Sequence, residues 1–119
     1  IVEVPSTLPT LDELLAWEEY RGERRGATVE HLRRAVAEEG GAAVHSVHTE
    51  IEGGRAFSGL FARQLEAWAS DGVSFVTLSE VAASSPGPLP ERGLRFASVP
   101  GRALPVATGE PSGRGRLAG

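Results

Sequence analysis

The sequence predicts an α/β fold with about three parallel strands joined by helical crossovers, and three observations carry that prediction. The elements alternate: a short strand, two helices, a strand, a helix, a strand and a short helix. Residues 42–49 and 73–78 are short runs of small, β-branched and aromatic residues, the composition of buried strands. Both are followed by helical patterns rather than by hairpin turns, so neighbouring strands are expected to run parallel. Three strands are too few to close a barrel and too narrow to cover both faces of an open parallel sheet. Such a chain either associates with something or forms one end of a larger (β/α) barrel.

Each element has its own reason. Residues 1–4 (Ile-Val-Glu-Val) read as a strand closed by Pro5. Thr10 and Glu13 have the spacing of a capping box and begin a helix whose apolar side carries Leu11, Leu14 and Leu15. Residues 21–26 form a charged, glycine-flanked loop with solvated arginines. A second helix runs from a Thr28 cap to about Glu39, buries Val29, Leu32 and Val36, and stops at Gly40-Gly41, with His31 on its exposed polar face. After residues 42–49, the stripe Phe57, Leu60, Phe61, Gln64, Leu65 and Trp68 recurs at three and four and marks a core-facing helix ended by Asp71-Gly72. Ser79 is positioned to cap a short helix over residues 80–83. Residues 84–90, dense in proline and glycine, end the regular region. Residues 94–99 read as one more extended piece. The expected organisation is a structured region over 1–100 and a poorly ordered tail over 101–119.

Composition excludes several classes of function. With 119 residues the chain is one domain at most. Sixteen acidic residues against 12 basic ones give a net charge of -4, so there is no basic field for nucleic acid and no nucleic-acid partner is expected. The absence of cysteine removes disulfides, thiolate metal sites and thiol catalysis. There is no apolar run near the length of a spanning helix and no signal-peptide pattern; the reading is a cytoplasmic protein or one peripheral to an inner membrane. A start at Ile1, with no methionine anywhere, reads as part of a longer chain.

Chemistry concentrates in residues 44–54, Val-His-Ser-Val-His-Thr-Glu-Ile-Glu-Gly-Gly. On a strand, Val44, Ser46 and His48 share one face while His45, Val47 and Thr49 share the other. His45 and His48 therefore point apart and cannot chelate one metal together. His48, Glu50 and Glu52 fall at the carboxyl end of the strand and on the following loop, where parallel α/β folds place reactive groups. His48-Thr49-Glu50 has the His-x-Glu pattern of zinc nucleobase deaminases, but their cysteine ligands are missing. Ser46 and Ser79 lack the glycine-flanked elbow of a serine nucleophile.

Two motifs together resemble a known family. Residues 8–13, Leu-Pro-Thr-Leu-Asp-Glu, and residues 47–53, Val-His-Thr-Glu-Ile-Glu-Gly, are similar to segments in the C-terminal part of polysaccharide deacetylases, carbohydrate esterases with a distorted (β/α) barrel. The helix that follows, residues 72–75 and Gly101-Arg102 fit the same pattern, so the likeness spans about residues 5–102. It implies metal-dependent hydrolysis of an N-acyl group, by a deacetylase or deformylase, on a sugar, free or lipid-linked. It also implies that His48 is the general acid that protonates the leaving amine, with Glu50 and Glu52 supporting it or shaping the substrate pocket. An imidazole suits that role, because its ordinary pKa near 6.5 lets it donate at neutral pH when a carboxylate supports the cation. The aspartates and histidines that hold the family's divalent metal and supply its base have no counterpart in these residues, and Ala103-Leu104-Pro105 replaces the aromatic and glutamine expected after Gly-Arg. The resemblance thus implies a C-terminal segment that carries the acid and not the metal ligands, needs the N-terminal half of the same barrel, and is inactive alone. The competing expectation is a non-catalytic α/β binding or assembly module that uses its open sheet edges.

Overall fold

A computed structural model describes residues 2–110 as a helical layer with one small sheet. Helix α1 spans Leu11–Ala16, α2 Thr28–Glu39, α3 Thr49–Glu52, α4 Ser58–Ser70 and α5 Leu78–Ala83. Strands β1 (Leu94–Ala97) and β2 (Val106–Gly109) pair antiparallel, with Leu94 opposite Gly109 and Ala97 opposite Val106. The fold is mixed helix and sheet.

The capping box at α1 forms: Thr10 Oγ1 accepts from the Glu13 N–H, and the Glu13 carboxylate accepts from the Thr10 N–H. A second box of the same spacing starts α5, with Thr77 and Glu80 in the two roles. Thr77, not Ser79, is thus the cap of that helix, which begins at Leu78. Helix α2 ends on Gly40 at φ +66, the left-handed conformation that glycine adopts without steric cost. Thr28 is the first residue of that helix rather than its cap; its hydroxyl donates to the Arg25 carbonyl at 2.7 Å. Residues expected to form a charged loop are wound into the 3-10 turn Gly22–Ala27.

Leu8, Leu14, Tyr20, Leu32 and Trp68 form the core, with Trp17, Val36, Ala43 and Val73 packed around it. Helices α2 and α4 are also joined across their surface, where Arg33 bridges to both carboxylate oxygens of Asp71. That fork is the geometry in which arginine and carboxylate match best.

The described residues show fewer strands than expected. Among the described residues the only ladder is the β1–β2 pair, and no parallel strands are assigned. Residues 42–48 and 73–77 have no regular ladder, and residues 2–4 form no strand either; Ile1 lies outside the described residues. The physical reason is pairing. A strand exists only beside another, and here the Val44 carbonyl accepts from Thr7 and Leu8 while the neighbouring backbone groups find no second chain. Val47 is 41% exposed and Phe75 60% exposed, so these segments are not buried as expected. Strand β2 also falls within the stretch predicted to be a tail, because Val106, Ala107 and Thr108 pair with β1; residues 111–119 lie outside the described ones. No helix among the described residues is long and apolar enough to cross a membrane.

Candidate active site

Residues 42–48 separate two cavities, and the alternation expected of a strand largely survives without a ladder. Ser46 and His48 line an open cleft of about 1010 Å³, bounded by residues 3–10, Trp17 and the β1–β2 hairpin. His45 and Val47 line an apolar cavity of about 470 Å³ on the other side, against α4 and residues 73–76. His45 is the one titratable residue of the apolar cavity, whereas Glu3, Glu13, His31, His48 and Arg102 line the open cleft. The open cleft is the candidate site on chemical grounds.

His48 sits at its floor as the residue before α3, with extended φ and ψ of -98° and 114°. Its Nδ1 lies 3.3 Å from Asp12 Oδ1, an ion-pair distance once the imidazole is protonated. Asp12 Oδ1 is itself fixed by the Thr10 hydroxyl at 2.6 Å. The carboxylate beside the histidine is therefore Asp12. Glu52 binds the backbone of the same residue: its Oε2 accepts from the His48 N–H at 3.0 Å, closing the first turn of α3 from within. Glu50 is exposed and accepts from the Thr49 hydroxyl at 3.3 Å. Of the two glutamates, one holds the His48 backbone and the other faces solvent.

The third motif arrives from the far end of the chain. Arg102 Nε donates to Glu13 Oε1 at 2.5 Å, while the other oxygen of that buried carboxylate closes the capping box. The approach requires Gly101, whose φ is +88 and whose Cβ, were it present, would collide with the Glu13 backbone carbonyl. Residues 10–13, 48–52 and 101–102 thus meet at one place.

The other histidines lie elsewhere. His45 stacks edge-on against Trp68, with ring centroids 5.6 Å apart. Burial lowers its proton affinity below the ordinary imidazole value, and Glu52, the Pro9 carbonyl and Glu13 oppose that shift. His31 was expected to be merely exposed on a polar face. Instead its Nδ1 is 2.9 Å from the Tyr20 hydroxyl and its ring stands edge-on to Trp17 at the cleft wall. Burial raises the pKa of Tyr20 above its usual value, so the phenol remains a proton donor at neutral pH.

Among the described residues no three histidine, aspartate or glutamate side chains converge to hold a metal ion. His48 has Asp12 beside it and no third donor, and His45 lies in the other cavity, so the residues present do not fit the divalent metal of the resembled family. Neither Ser46 nor Ser79 is hydrogen-bonded to a histidine. No family model, characterised protein or solved structure matches the chain.

The sequence reading missed Asp12 as the partner of His48. Its residue type was visible, but an acid in the first turn of a helix is accounted for by the helix dipole, and nothing local connects it to a histidine on another segment.

Proposed function

We propose that the chain is the C-terminal part of a de-N-acylase that hydrolyses an N-acyl group on a sugar, with His48 as the general acid. The observation that carries this reading is that His48, paired with Asp12, and the Glu13–Arg102 pair line one cleft, since this unites the three segments that resemble polysaccharide deacetylases. The segments are similar to those of the bacterial deformylase acting on undecaprenyl-phosphate-linked formamido-arabinose, which makes a lipid-linked amino sugar a candidate substrate.

In the proposed step a base supplied by the N-terminal half of the barrel takes one proton from water, the acyl carbon takes the remaining hydroxyl, the C–N bond breaks, and the imidazolium proton of His48 passes to the nitrogen, releasing the carboxylic acid and the free amine. With Asp12 at Nδ1, Nε2 is the nitrogen that faces the substrate. Asp12 stabilises the cation before transfer, and Trp17 offers an aromatic wall to the apolar face of a sugar ring. The divalent metal of the resembled family would be held by residues other than those described, and no step here passes through it.

The open apolar cavity supports the remaining part of the proposal. Residues 42–48, α4 and residues 73–77 keep the order of a strand, crossover helix and strand, and they are read as two parallel strands of a distorted (β/α) barrel completed by its N-terminal half. The same exposed face, with Val47, Phe75, Val76 and Leu78, supports the second reading, a non-catalytic module that binds a partner there. Release of formate or acetate from N-acylated sugars, by the chain joined to its N-terminal half, tests the enzyme reading. Activity lost on His48→Ala is expected; a pure, folded, complete chain with no hydrolysis of any N-acyl sugar favours the binding module.

A further inference from the structure

Three buried polar atoms belong to residues that line one small cavity between α2, α3 and α4. Glu52 Oε1, Gln64 Nε2 and His45 Nδ1 have no hydrogen-bond partner among protein atoms. Their residues, with Leu11, Leu32, Leu60 and Phe61, line a cavity with about 10 Å³ of room for the centre of a water. Glu52 is 2% exposed and Gln64 4%, so bulk solvent does not satisfy them. A buried polar group left unsatisfied forfeits the hydrogen bond it made to water, which makes three together a heavy burden for a small fold.

We propose that one ordered water occupies this space, donating to Glu52 Oε1 and His45 Nδ1 and accepting from Gln64 Nε2. The donor and acceptor pattern selects the ligand. A carboxylate oxygen only accepts. Pro9 has no N–H, so the ring can bond its backbone only by donating to the carbonyl; the proton then lies on Nε2 and leaves Nδ1 as an acceptor. The amide nitrogen of Gln64 only donates. Two acceptors and one donor call for a bridging group with two protons and a lone pair. A cation would face the amide hydrogens, an anion would face Glu52, and the volume suits a single water with three partners.

The water gives Glu52 a second anchor. One oxygen holds the His48 N–H at 3.0 Å and the other is fixed through the water to Gln64 and His45. Glu52 and Gln64 are therefore positioning residues for His48, acting through its backbone. Only this last consequence rests on the proposed role of His48; the hydration site stands apart from it.

A crystal structure of the full chain, with amide hydrogen exchange on the same protein and on Gln64→Leu, tests the inference. Density for a water within hydrogen-bond distance of all three atoms is expected in the wild type and absent from the variant. The His48 amide should exchange about tenfold faster in the variant relative to the Ile51 amide, which bonds the His48 carbonyl, whereas a general loosening would move both. A direct Glu52–Gln64 bond, a dry site, or an unchanged ratio of the two amides overturns it. Should Gln64→Leu fail to fold, the wild-type density decides alone. A bridging water together with full turnover in His48→Ala leaves the hydration site standing and removes only the proton-donor reading.

Discussion

Asp12 Oδ1 stands 3.3 Å from His48 Nδ1, joining the first turn of one helix to the residue that precedes another. The contact is an ion-pair approach rather than a hydrogen bond, and it brings Nδ1 to the carboxylate. Under the proposed reaction, Asp12→Asn keeps the shape and removes the charge that stabilises the imidazolium. Turnover in the complete enzyme is expected to fall by about tenfold or more, with substrate KM little changed, because the support acts during proton transfer. Steady-state kinetics of the variant checks this; an unchanged kcat removes Asp12 from the mechanism.

The Glu13–Arg102 pair anchors the chain after β1 against α1, and its stability contribution is expected to be modest. Glu13 is buried and the Arg102 side chain is 38% exposed, so solvent screens part of the attraction. Arg102→Ala leaves a buried carboxylate with only its capping-box bond and should cost about 1–2 kcal/mol in a urea melt. Gly101→Ala should cost at least as much, through a strained φ and a clash with the Glu13 carbonyl. If both variants melt like the wild type, the hairpin is not docked on α1.

How much of this was legible in the sequence follows from the range of each interaction. The capping box at Thr10 and Glu13 and the ends of α2 are local signals that survive in the fold, and the Phe57 to Trp68 stripe survives in part: Gln64 and Trp68 are buried while Leu65 is exposed. The box at Thr77 and Glu80 has the same local spacing, and Ser79 is a residue of the helix that it starts. The strands at residues 42–49 and 73–78 were read from composition, which reports suitability for pairing and not the presence of a partner. Strand β2 was hidden by surrounding glycine, proline and arginine, although Val106 to Thr108 is small and β-branched. The position of His48 at a cleft was legible; Asp12 beside it, His31 against Tyr20 and the Glu13–Arg102 pair were not, because each joins segments remote in sequence.

His45 gives the fold a pH dependence of defined sign. Its folded-state pKa is lowered, chiefly by burial, from the ordinary value near 6.5 of an unfolded chain. Below that value the unfolded chain takes up a proton that the folded chain resists, so stability falls as pH drops from about 6.5 toward the folded pKa and is constant above it. Urea melts at descending pH should show this loss in the wild type and a smaller one in His45→Phe. Equal slopes in the two proteins contradict the assignment.

The exposed apolar face is expected to behave as an interface. Phe75→Asp places a charge where Val47, Val76 and Leu78 are also exposed, and in the 119-residue chain it should reduce self-association and binding of a hydrophobic dye. In the complete chain the same substitution should impair folding, because the N-terminal half of the barrel would have to bury the carboxylate. Analytical ultracentrifugation of the former and a melting curve of the latter separate the outcomes; a harmless effect in the complete chain means the face is not covered there.

The central claim is that His48 is the proton donor of a de-N-acylase and not a ligand of its metal. The most direct measurement is turnover on an N-acylated sugar by the complete enzyme carrying His48→Ala, with bound metal quantified in the same preparation. The expected result is a fall in kcat of about 10²–10⁴ with metal content unchanged. Loss of the metal, or turnover equal to wild type, contradicts it.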